Sequence, residues 1–209
     1  MNTTKLHLGC GTTYLKDYVN IDYPESEHNH IKPVCDRYED ITMLSFDEGS
    51  IDEVRLHHVF EHFGRVQALA LLIKWHLWLK VGGKLRIEVP DLTGCAEDIL
   101  WGDSKTRMAA IRHMVGDQTA RWGYHIEQWN DDRLLSTLKA IGFGGITTRR
   151  WRWDREPYLA NVEAIGIKER TIPKEEMIES AKELLRESTV SESEGFLWRI
   201  WCEQLGELC

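Results

Sequence analysis

Two glycines and one aspartate near the start of the chain carry the clearest chemical signal. Gly9 and Gly11 follow the apolar segment Lys5–Leu8, and a second apolar segment ends in the carboxylate of Asp22. Glycine adopts backbone angles closed to other residues and lets a ligand approach the main chain, while a carboxylate accepts hydrogen bonds from both hydroxyls of a ribose. Open α/β sheets hold adenosine-containing cofactors in this way, so the segment predicts a nucleoside site.

The spacing of these residues disfavours a dinucleotide. Nicotinamide and flavin sites usually show a third glycine and an acid about 20 residues further along the chain. Here Tyr14 occupies the third glycine position, and Asp22 comes only eleven residues after Gly11. A Walker-type phosphate loop is also excluded, because no Gly-Lys-Ser or Gly-Lys-Thr follows. An ordinary glycine turn at the end of a strand is the alternative for this segment taken alone.

Groups that could move a proton lie farther along the chain. Histidine has a reference pKa of about 6.5, which suits it to take a proton from an acceptor. The catalytic candidates are His58, His125 and Asp91. Each has a structural alternative: His58 shapes a turn, His125 is a surface residue of an aromatic-rich loop, and Asp91 caps the following helix.

The segment from His58 to His62 also matches the inverted zinc-protease motif His-x-x-Glu-His. That chemistry needs the motif on one long helix with a third ligand supplied elsewhere. Here the segment follows a predicted strand and begins a helix, so we expect no metal. Glu61 and His62 are expected to cap and orient the start of that helix.

Alternating strands and helices must position these groups. Apolar alternation predicts strands over 5–8, 18–22, 51–56, 84–90, 143–150 and 160–168, with an edge strand over 31–35. Helical periodicity predicts helices over 64–80, 95–115, 131–141, 174–187 and 196–208. The turn at 81–83 is expected to end the first helix, and Asn130 and Gly142 to cap the third. Strands and helices that alternate in this way indicate an α/β fold with a terminal hairpin.

Composition narrows the function classes. The 209 residues suffice for one catalytic-size domain, and the net charge of −8 disfavours nucleic acid, whose binding requires clustered Lys and Arg. The start lacks the apolar core of a signal peptide, and no apolar run approaches the roughly 20 residues of a membrane span. We therefore expect a cytoplasmic protein with no membrane partner. Five widely spaced cysteines favour reduced thiols over disulfides or a zinc knuckle.

The order of the motifs resembles the class I S-adenosylmethionine-dependent methyltransferases, specifically a small subgroup with a Leu-Gly-Cys-Gly turn and a later His-Val-x-Glu-His. The matching segments are 8–11, 19–22, 40–41, 50–54, 58–62 and 79–85, with weaker matches at 89–92, 140–143 and 165–168. Two departures stand out. Only residues 12–17 separate the glycine turn from the second strand, so the usual helix there is one turn or lost, and Ser45 replaces a proline.

The resemblance implies a fold, a cofactor and its contacts. The fold would be doubly wound α/β, with a mostly parallel seven-stranded sheet and a C-terminal helical appendage. S-adenosylmethionine would lie with its methionine part over Gly9 and Gly11 and its ribose on Asp22. Asp40 would accept from the adenine amino group, and the amide of Ile41 would meet a ring nitrogen. The full predicted cofactor set is Leu8, Gly9, Cys10, Gly11, Asp22, Asp40, Ile41, His57 and His58.

The activity implied is methyl transfer to an oxygen or nitrogen of a small-molecule acceptor, including a sugar-containing or glycan-precursor substrate. One alternative is a non-catalytic cofactor-binding or assembly protein with the same fold, and a nicotinamide-dependent oxidoreductase is another. Residues 1–170 are expected to form the methyltransferase domain. Residues 171–209 would be a helical extension packed on it, or would form a homodimer through the C-terminal helix.

Overall fold

The computed structural model describes residues 3–209, and its centre is a seven-stranded sheet. The strands are β1 (Lys5–Leu8), β2 (Val19–Asp22), β3 (Arg37–Tyr38), β4 (Ile51–His57), β5 (Leu79–Pro90), β6 (Gly144–Arg152) and β7 (Ala160–Ile167). They lie in the order β3-β2-β1-β4-β5-β7-β6. Strand β7 runs antiparallel to both of its neighbours, and the other pairs are parallel. The predicted mostly parallel α/β sheet is confirmed.

In the part of the chain that the structure describes, six α-helices accompany the sheet: α1 (Arg65–Trp78), α2 (Leu92–Trp101), α3 (Ser104–Val115), α4 (Asp131–Ile141), α5 (Lys174–Glu187) and α6 (Gly195–Leu208). They form two groups. Helix α1 contacts α4, α5 and α6, while α2 contacts α3 and β7. The C-terminal helices bury Met177, Ala181 and Leu205 in the same core as the sheet. Within residues 3–209, no helix has both the length and the hydrophobicity that crossing a membrane requires.

The central strands and α1 build most of the core. Leu6 and Leu8 of β1 and Leu56 of β4 are inaccessible to solvent, and Trp75 of α1 is fully buried among them. Helix α1 is apolar around most of its circumference because it contacts β5 as well as α4, α5 and α6. These packed elements fix the positions at which β1 and β4 end.

The helix caps predicted from the sequence are present in α4. The side chain of Asn130 accepts a hydrogen bond from the amide of Arg133 at 2.9 Å, and Gly142 ends the helix with φ of 104°. The bounds of α4 and α5 are those predicted. Local capping chemistry therefore suffices to place α4.

Three predicted elements are wrong. The helix predicted over 95–115 is two helices, because Asp103 caps α3 by accepting from the amide of Thr106 at 2.7 Å. No strand forms over 31–35; the amide of Val34 instead donates to the carbonyl of Gly11, and the edge strand is β3. The helix predicted to reach residue 80 ends at Trp78, since Leu79 pairs with Ile51 and begins β5.

The connection from β1 to β2 contains no helix in residues 9–18. Side-chain hydrogen bonds replace it: Asn20 accepts from the amide of Leu15 at 3.0 Å and donates to its carbonyl at 2.9 Å. The amide of Gly9 donates to the carbonyl of Ile21 at 2.8 Å. The short connection thus brings the glycine turn directly beside the end of β2.

Gly9 is required for two separate reasons. Its φ of +66° is rarely adopted by other residues, and a Cβ there would overlap Cγ2 of Val59. Gly49 has a similar φ of +63°, but a Cβ there would meet no atom within 4 Å. Alanine substitutions at Gly9 and Gly49 therefore distinguish backbone strain from steric overlap with Val59.

We expect Gly9→Ala to lower the free energy of unfolding by about 3 kcal/mol or more, from backbone strain of about 1–2 kcal/mol and steric overlap of similar size. Gly49→Ala should cost only about 1 kcal/mol, because it carries the backbone strain alone. Urea denaturation measures both. The second change Val59→Ala should recover part of the loss in Gly9→Ala; equal losses in the two single variants would contradict the role of Val59.

Candidate functional site

A cavity of about 450 Å³ opens at the carboxyl ends of β1, β2 and β4. This is the edge at which open α/β sheets hold ligands, and the volume falls within the range of small-molecule sites. Its wall is formed by Gly9, Cys10, Gly11, Thr12, Thr13, Asp22, Tyr23, His28, Ile31, Asp40, Ile41, Thr42, His57, His58, Val59, His62, Phe63, Gln67 and Trp122. The strand ends that carry the predicted nucleoside signal therefore share one cavity.

The cavity brings together most of the residues predicted from the sequence. Those that border it are Gly9, Cys10, Gly11, Asp22, Asp40, Ile41, His57 and His58. Three predicted residues do not border it. Leu8 lies in the core, and Asp91 and His125 are not among the residues that line the cavity. The cavity therefore brings together the residues predicted to contact the cofactor, apart from Leu8. Of the three catalytic candidates, it includes only His58.

Asp22 is held in place by the main chain. Its Oδ2 accepts from the amide of Gly11 at 2.6 Å, and its Oδ1 accepts from the amide of Tyr23 at 2.7 Å. Nε2 of His28 lies 3.2 Å from Oδ1, and the aspartate is only 5% exposed. A buried carboxylate is costly unless it is compensated, and these donors compensate it.

Asp40 shapes the neighbouring wall. Its Oδ1 accepts from the amide of Thr42 at 2.8 Å and from the Thr42 hydroxyl at 2.7 Å, so it caps the 3₁₀ turn Ile41–Met43. Burial and then the charge of Asp40 raise the pKa of Tyr23 to about 12. Asp40 therefore caps a turn, and it also borders the cavity.

His57 and His58 stand where β4 ends, and carboxylates hold both rings. Nε2 of His57 lies 2.8 Å from Glu88 Oε1, and the His57 side chain is 41% exposed. His58 has φ of +54°, which is uncommon outside glycine, and its Nδ1 lies 3.3 Å from Glu61 Oε1. Nε2 of His58 is buried and has no hydrogen-bond partner within residues 3–209. His57 is therefore the more open of the two.

Glu61 does not cap α1, contrary to the sequence-based expectation. Gly64 precedes the helix without a side-chain cap, and Glu61 is 1% exposed, between His58 and His125. Burial raises the pKa of Glu61, but the hydrogen bond and charge of His58, with the other histidines, outweigh it and lower the pKa to about 2. Burial lowers the pKa of His58, but the hydrogen bond and charge of Glu61 and the charge of Glu88 outweigh burial. The pKa of His58 is therefore raised above its usual value.

His125 approaches the same carboxylate from a different part of the chain. Its Nε2 lies 3.8 Å from Glu61 Oε1, and its ring packs edge-on against His62. Burial lowers the pKa of His125, and Glu61 only partly opposes the shift. It is not a surface residue, so the structural alternative considered from the sequence is wrong.

Asp91 caps α2 and is not part of the cavity wall. It accepts from the amide of Thr93 at 3.2 Å and from Nε of Arg150 at 2.7 Å, and it is almost fully buried. Its isolated bridge to Trp129 ties the end of β5 to the start of α4. These contacts correspond to the helix-cap alternative, and Asp91 does not border the cavity.

His28 and Trp122 are cavity residues that the sequence did not assign. Trp122 packs edge-on against His28 at 4.9 Å between ring centroids, and its Nε1 donates to the carbonyl of Glu27 at 2.7 Å. Arg121 also pairs with Glu27 at 2.8 Å. Two loops, 24–30 and 117–125, thereby meet over the Asp22 end of the cavity. The aromatic-rich sequence around Trp122 was the only advance signal.

Cys10 borders the cavity as an inert thiol. Burial and then the charge of Asp22 raise its pKa to about 12, so the thiolate is scarcely populated at neutral pH. Its Sγ lies 3.6 Å from the carbonyl of Val34. Packing within the glycine turn accounts for this residue.

We expect Glu61→Gln to lower the pKa of His58, because burial then acts with less opposition from a neighbouring negative charge. Histidine NMR titration in buffer containing EDTA measures the change, and His76, whose pKa burial lowers to about 4, is the internal control. An unchanged His58 titration would contradict the assigned pair.

The same pair makes a signed prediction for stability. Because the His58 pKa is raised on folding, its contribution is present below about pH 6.5 and lost as the pH rises through the raised value. The Glu61 contribution is present above about pH 4.5 and lost on acidification. The advantage of the wild type over Glu61→Gln in free energy of unfolding should therefore peak at about pH 5–6; an advantage that grew towards pH 8 would exclude the pair.

Comparisons with known proteins bear on the fold. No family model matches the sequence, and no curated protein matches it. Among solved structures, a SAM-dependent methyltransferase from Archaeoglobus fulgidus matches with a TM-score of 0.53 and 14% identity, over 79% of this chain and 86% of that chain. One from Thermotoga maritima matches with a TM-score of 0.52 and 14% identity, over 79% of this chain and 81% of that chain. The chain therefore has the fold of the class I S-adenosylmethionine-dependent methyltransferases.

Proposed function

We propose that the protein transfers the methyl group of S-adenosylmethionine to an oxygen or nitrogen of a small-molecule acceptor, a sugar-containing metabolite or glycan precursor included. The observation that carries this proposal is the cavity itself. It joins the Gly9–Gly11 turn, the Asp22 carboxylate and the turn after Asp40 to two histidines at one sheet edge. The glycine turn and the two aspartates are suited to bind a nucleoside, and the histidines are suited to remove a proton from an acceptor.

The described residues fit the cofactor. A Cβ on Gly11 would meet only Ile31, at 3.9 Å, so the main chain is open to close approach by a ligand. Asp22 would accept from the ribose hydroxyls, and His28 would yield its place beside that carboxylate. Asp40 uses Oδ1 for its own turn, which leaves Oδ2 for an adenine amino group.

When bound, S-adenosylmethionine supplies an electrophilic methyl group on a sulfonium. The chain has to hold the acceptor in line with that group and remove the proton that a hydroxyl acceptor loses. We assign proton removal to His57, because its ring is exposed at the cavity and Glu88 holds it at 2.8 Å. His58 was the candidate from sequence, but its buried Nε2 and its contact with Glu61 make it a positioning residue.

Calorimetry with S-adenosylhomocysteine tests the cofactor site. Asp22→Ala should weaken binding about 10-fold or more, since hydrogen bonds to a charged group are worth about 1.5–3 kcal/mol. Asp52→Ala is the matched control: Asp52 lies at the opposite end of β4, where it accepts from the amide of Thr4 and pairs with Lys80. Equal affinities in the wild type and Asp22→Ala would overturn the ribose assignment.

A second candidate is a cofactor-binding protein that does not catalyse methyl transfer. It is favoured by one observation: Asp91 and His125, expected on the acceptor side, do not border the cavity. The nicotinamide oxidoreductase has less support, because the sheet order with an antiparallel β7 differs from the usual dinucleotide-binding order.

Turnover separates the two candidates. The protein is incubated with S-adenosylmethionine and a panel of phenols, amines and sugars, and S-adenosylhomocysteine is measured by mass spectrometry. The proposed enzyme forms product, and His57→Ala reduces the rate about 100-fold or more while leaving S-adenosylhomocysteine affinity near the wild-type value. Binding without turnover on any acceptor would favour the non-catalytic protein.

A further inference from the structure

The methyl-transfer proposal leaves one buried carboxylate without a function. Glu61 is 1% exposed, and its Oε2 is buried with no hydrogen-bond partner among residues 3–209. A buried charge is retained only when paired or when it coordinates a cation. The buried, unpartnered oxygen of Glu61 therefore needs an explanation.

Two histidines converge on this carboxylate. One nitrogen each from His62 and His125 and one oxygen of Glu61 lie within 4.8 Å of one another. The measured separation between His125 Nε2 and Glu61 Oε1 is 3.8 Å. Two ligands bonded to a tetrahedral zinc ion at about 2.0–2.1 Å lie about 3.3 Å apart, so a small side-chain adjustment would close the site.

The surroundings of His62 resemble those of a metal ligand. Its Nδ1 lies 3.0 Å from the carbonyl oxygen of Tyr124, which can only accept, so Nδ1 must carry the proton. The neutral ring then has its free lone pair on Nε2. Ligating histidines characteristically have their second nitrogen fixed in this way.

The main chain holds the two halves of the cluster together. The carbonyl of Glu61 accepts from the amides of Ile126 at 2.8 Å and Glu127 at 3.1 Å. The loop that carries His125 is therefore attached directly to the 3₁₀ turn Phe60–His62 that carries the other two residues. Nδ1 of His58 lies 3.3 Å from Glu61 Oε1, the same oxygen that His125 approaches, and orients the carboxylate.

A second cluster, formed by His57, His58 and Glu88, is less suited to a metal ion. His57 Nε2 and Glu88 Oε1 are already 2.8 Å apart, which is a direct contact. That separation would compress the angle at a tetrahedral ion well below its preferred value. The direct pair needs no ion between its members.

We propose that Glu61, His62 and His125 bind one divalent transition-metal ion of the zinc type, with the open coordination position towards the cavity. Two histidines and one glutamate are a donor set of catalytic zinc sites. Of the three ligands, His62 borders the cavity, and we place the open position on its side. Resting on the proposed function, the metal would bind the acceptor oxygen and ease loss of its proton. The His-x-x-Glu-His motif thus contributes ligands from a turn rather than from a protease helix.

Metal titration tests the site without any need for turnover. Untagged protein is dialysed against EDTA, the chelator is removed, and Zn²⁺ is added in competition with a chromophoric chelator; Co²⁺ is added separately and its visible spectrum recorded. We expect about one ion per chain and absorption bands of four- or five-coordinate cobalt. Glu61→Gln and His125→Ala should each weaken zinc binding at least about 100-fold, since removing a ligand costs more than removing its outer partner.

Two control variants locate the ion. His57→Ala removes the second cluster, and His30→Ala removes an exposed histidine outside both clusters; each should leave zinc affinity unchanged. Because Glu61 is buried, circular dichroism and S-adenosylhomocysteine calorimetry must first show that the Glu61 and His125 variants are folded. If these variants do not fold, the test uses the wild-type protein, whose melting temperature should rise when zinc is added.

The outcomes separate this proposal from the function on which its chemical role rests. Zinc binding that survives in His125→Ala, zinc binding lost in His57→Ala, or no zinc-dependent change at all would overturn the metal site. S-adenosylhomocysteine binding with no metal would retain the methyltransferase proposal alone. Zinc binding with no cofactor binding would retain the metal site and overturn the proposed function.

Discussion

The hydrogen bond from the amide of Gly11 to Asp22 is the contact on which the cavity wall at the ends of β1 and β2 depends. It closes a crossover between two parallel strands that contains no helix, and at 2.6 Å it is short and charge-assisted. In most doubly wound folds a helix N-terminus occupies this position and favours anions through its dipole. Here a carboxylate occupies it, so the turn is suited to hydroxyl donors rather than to a pyrophosphate.

Buried carboxylates also organise the opposite end of the cavity. Glu88 of β5 holds His57, and Glu61 holds His58 while approaching His125. Glu88 and His57 come from the neighbouring strands β5 and β4, and Glu61 combines the nearby His58 with the distant His125. The packing of β4, β5 and the loop before α4 therefore determines the arrangement. These carboxylate–histidine contacts hold the charged groups of the cavity wall in place, although much of the wall is loop.

Local chemistry made part of the structure predictable. The caps at Asn130 and Gly142 place α4, and the glycine turn with Asp22 identifies the cavity edge. Local chemistry also explains one error: the Asp103 cap divides a stretch that apolar periodicity alone reads as one helix. The error at Leu79 has a non-local cause: this residue pairs with the distant Ile51, and that pairing ends the helix before the predicted position.

The unpredicted parts of the site depend on contacts between distant residues. His28 reaches Asp22 because Trp122 packs on it from a loop more than ninety residues away. The approach of His125 to Glu61 spans 64 residues of sequence, and no spacing rule in a single sequence encodes it. Asp91 shows the reverse case, since its sequence position fits a catalytic acid but Arg150 and the α2 cap occupy its oxygens.

A crystal structure of the protein soaked with S-adenosylhomocysteine tests the central claim most directly. The account predicts density in the cavity at the ends of β1, β2 and β4, with both ribose hydroxyls on Asp22 and His28 displaced from it. Density elsewhere on the molecule, or a ribose that avoids Asp22 while His28 stays in place, would contradict it.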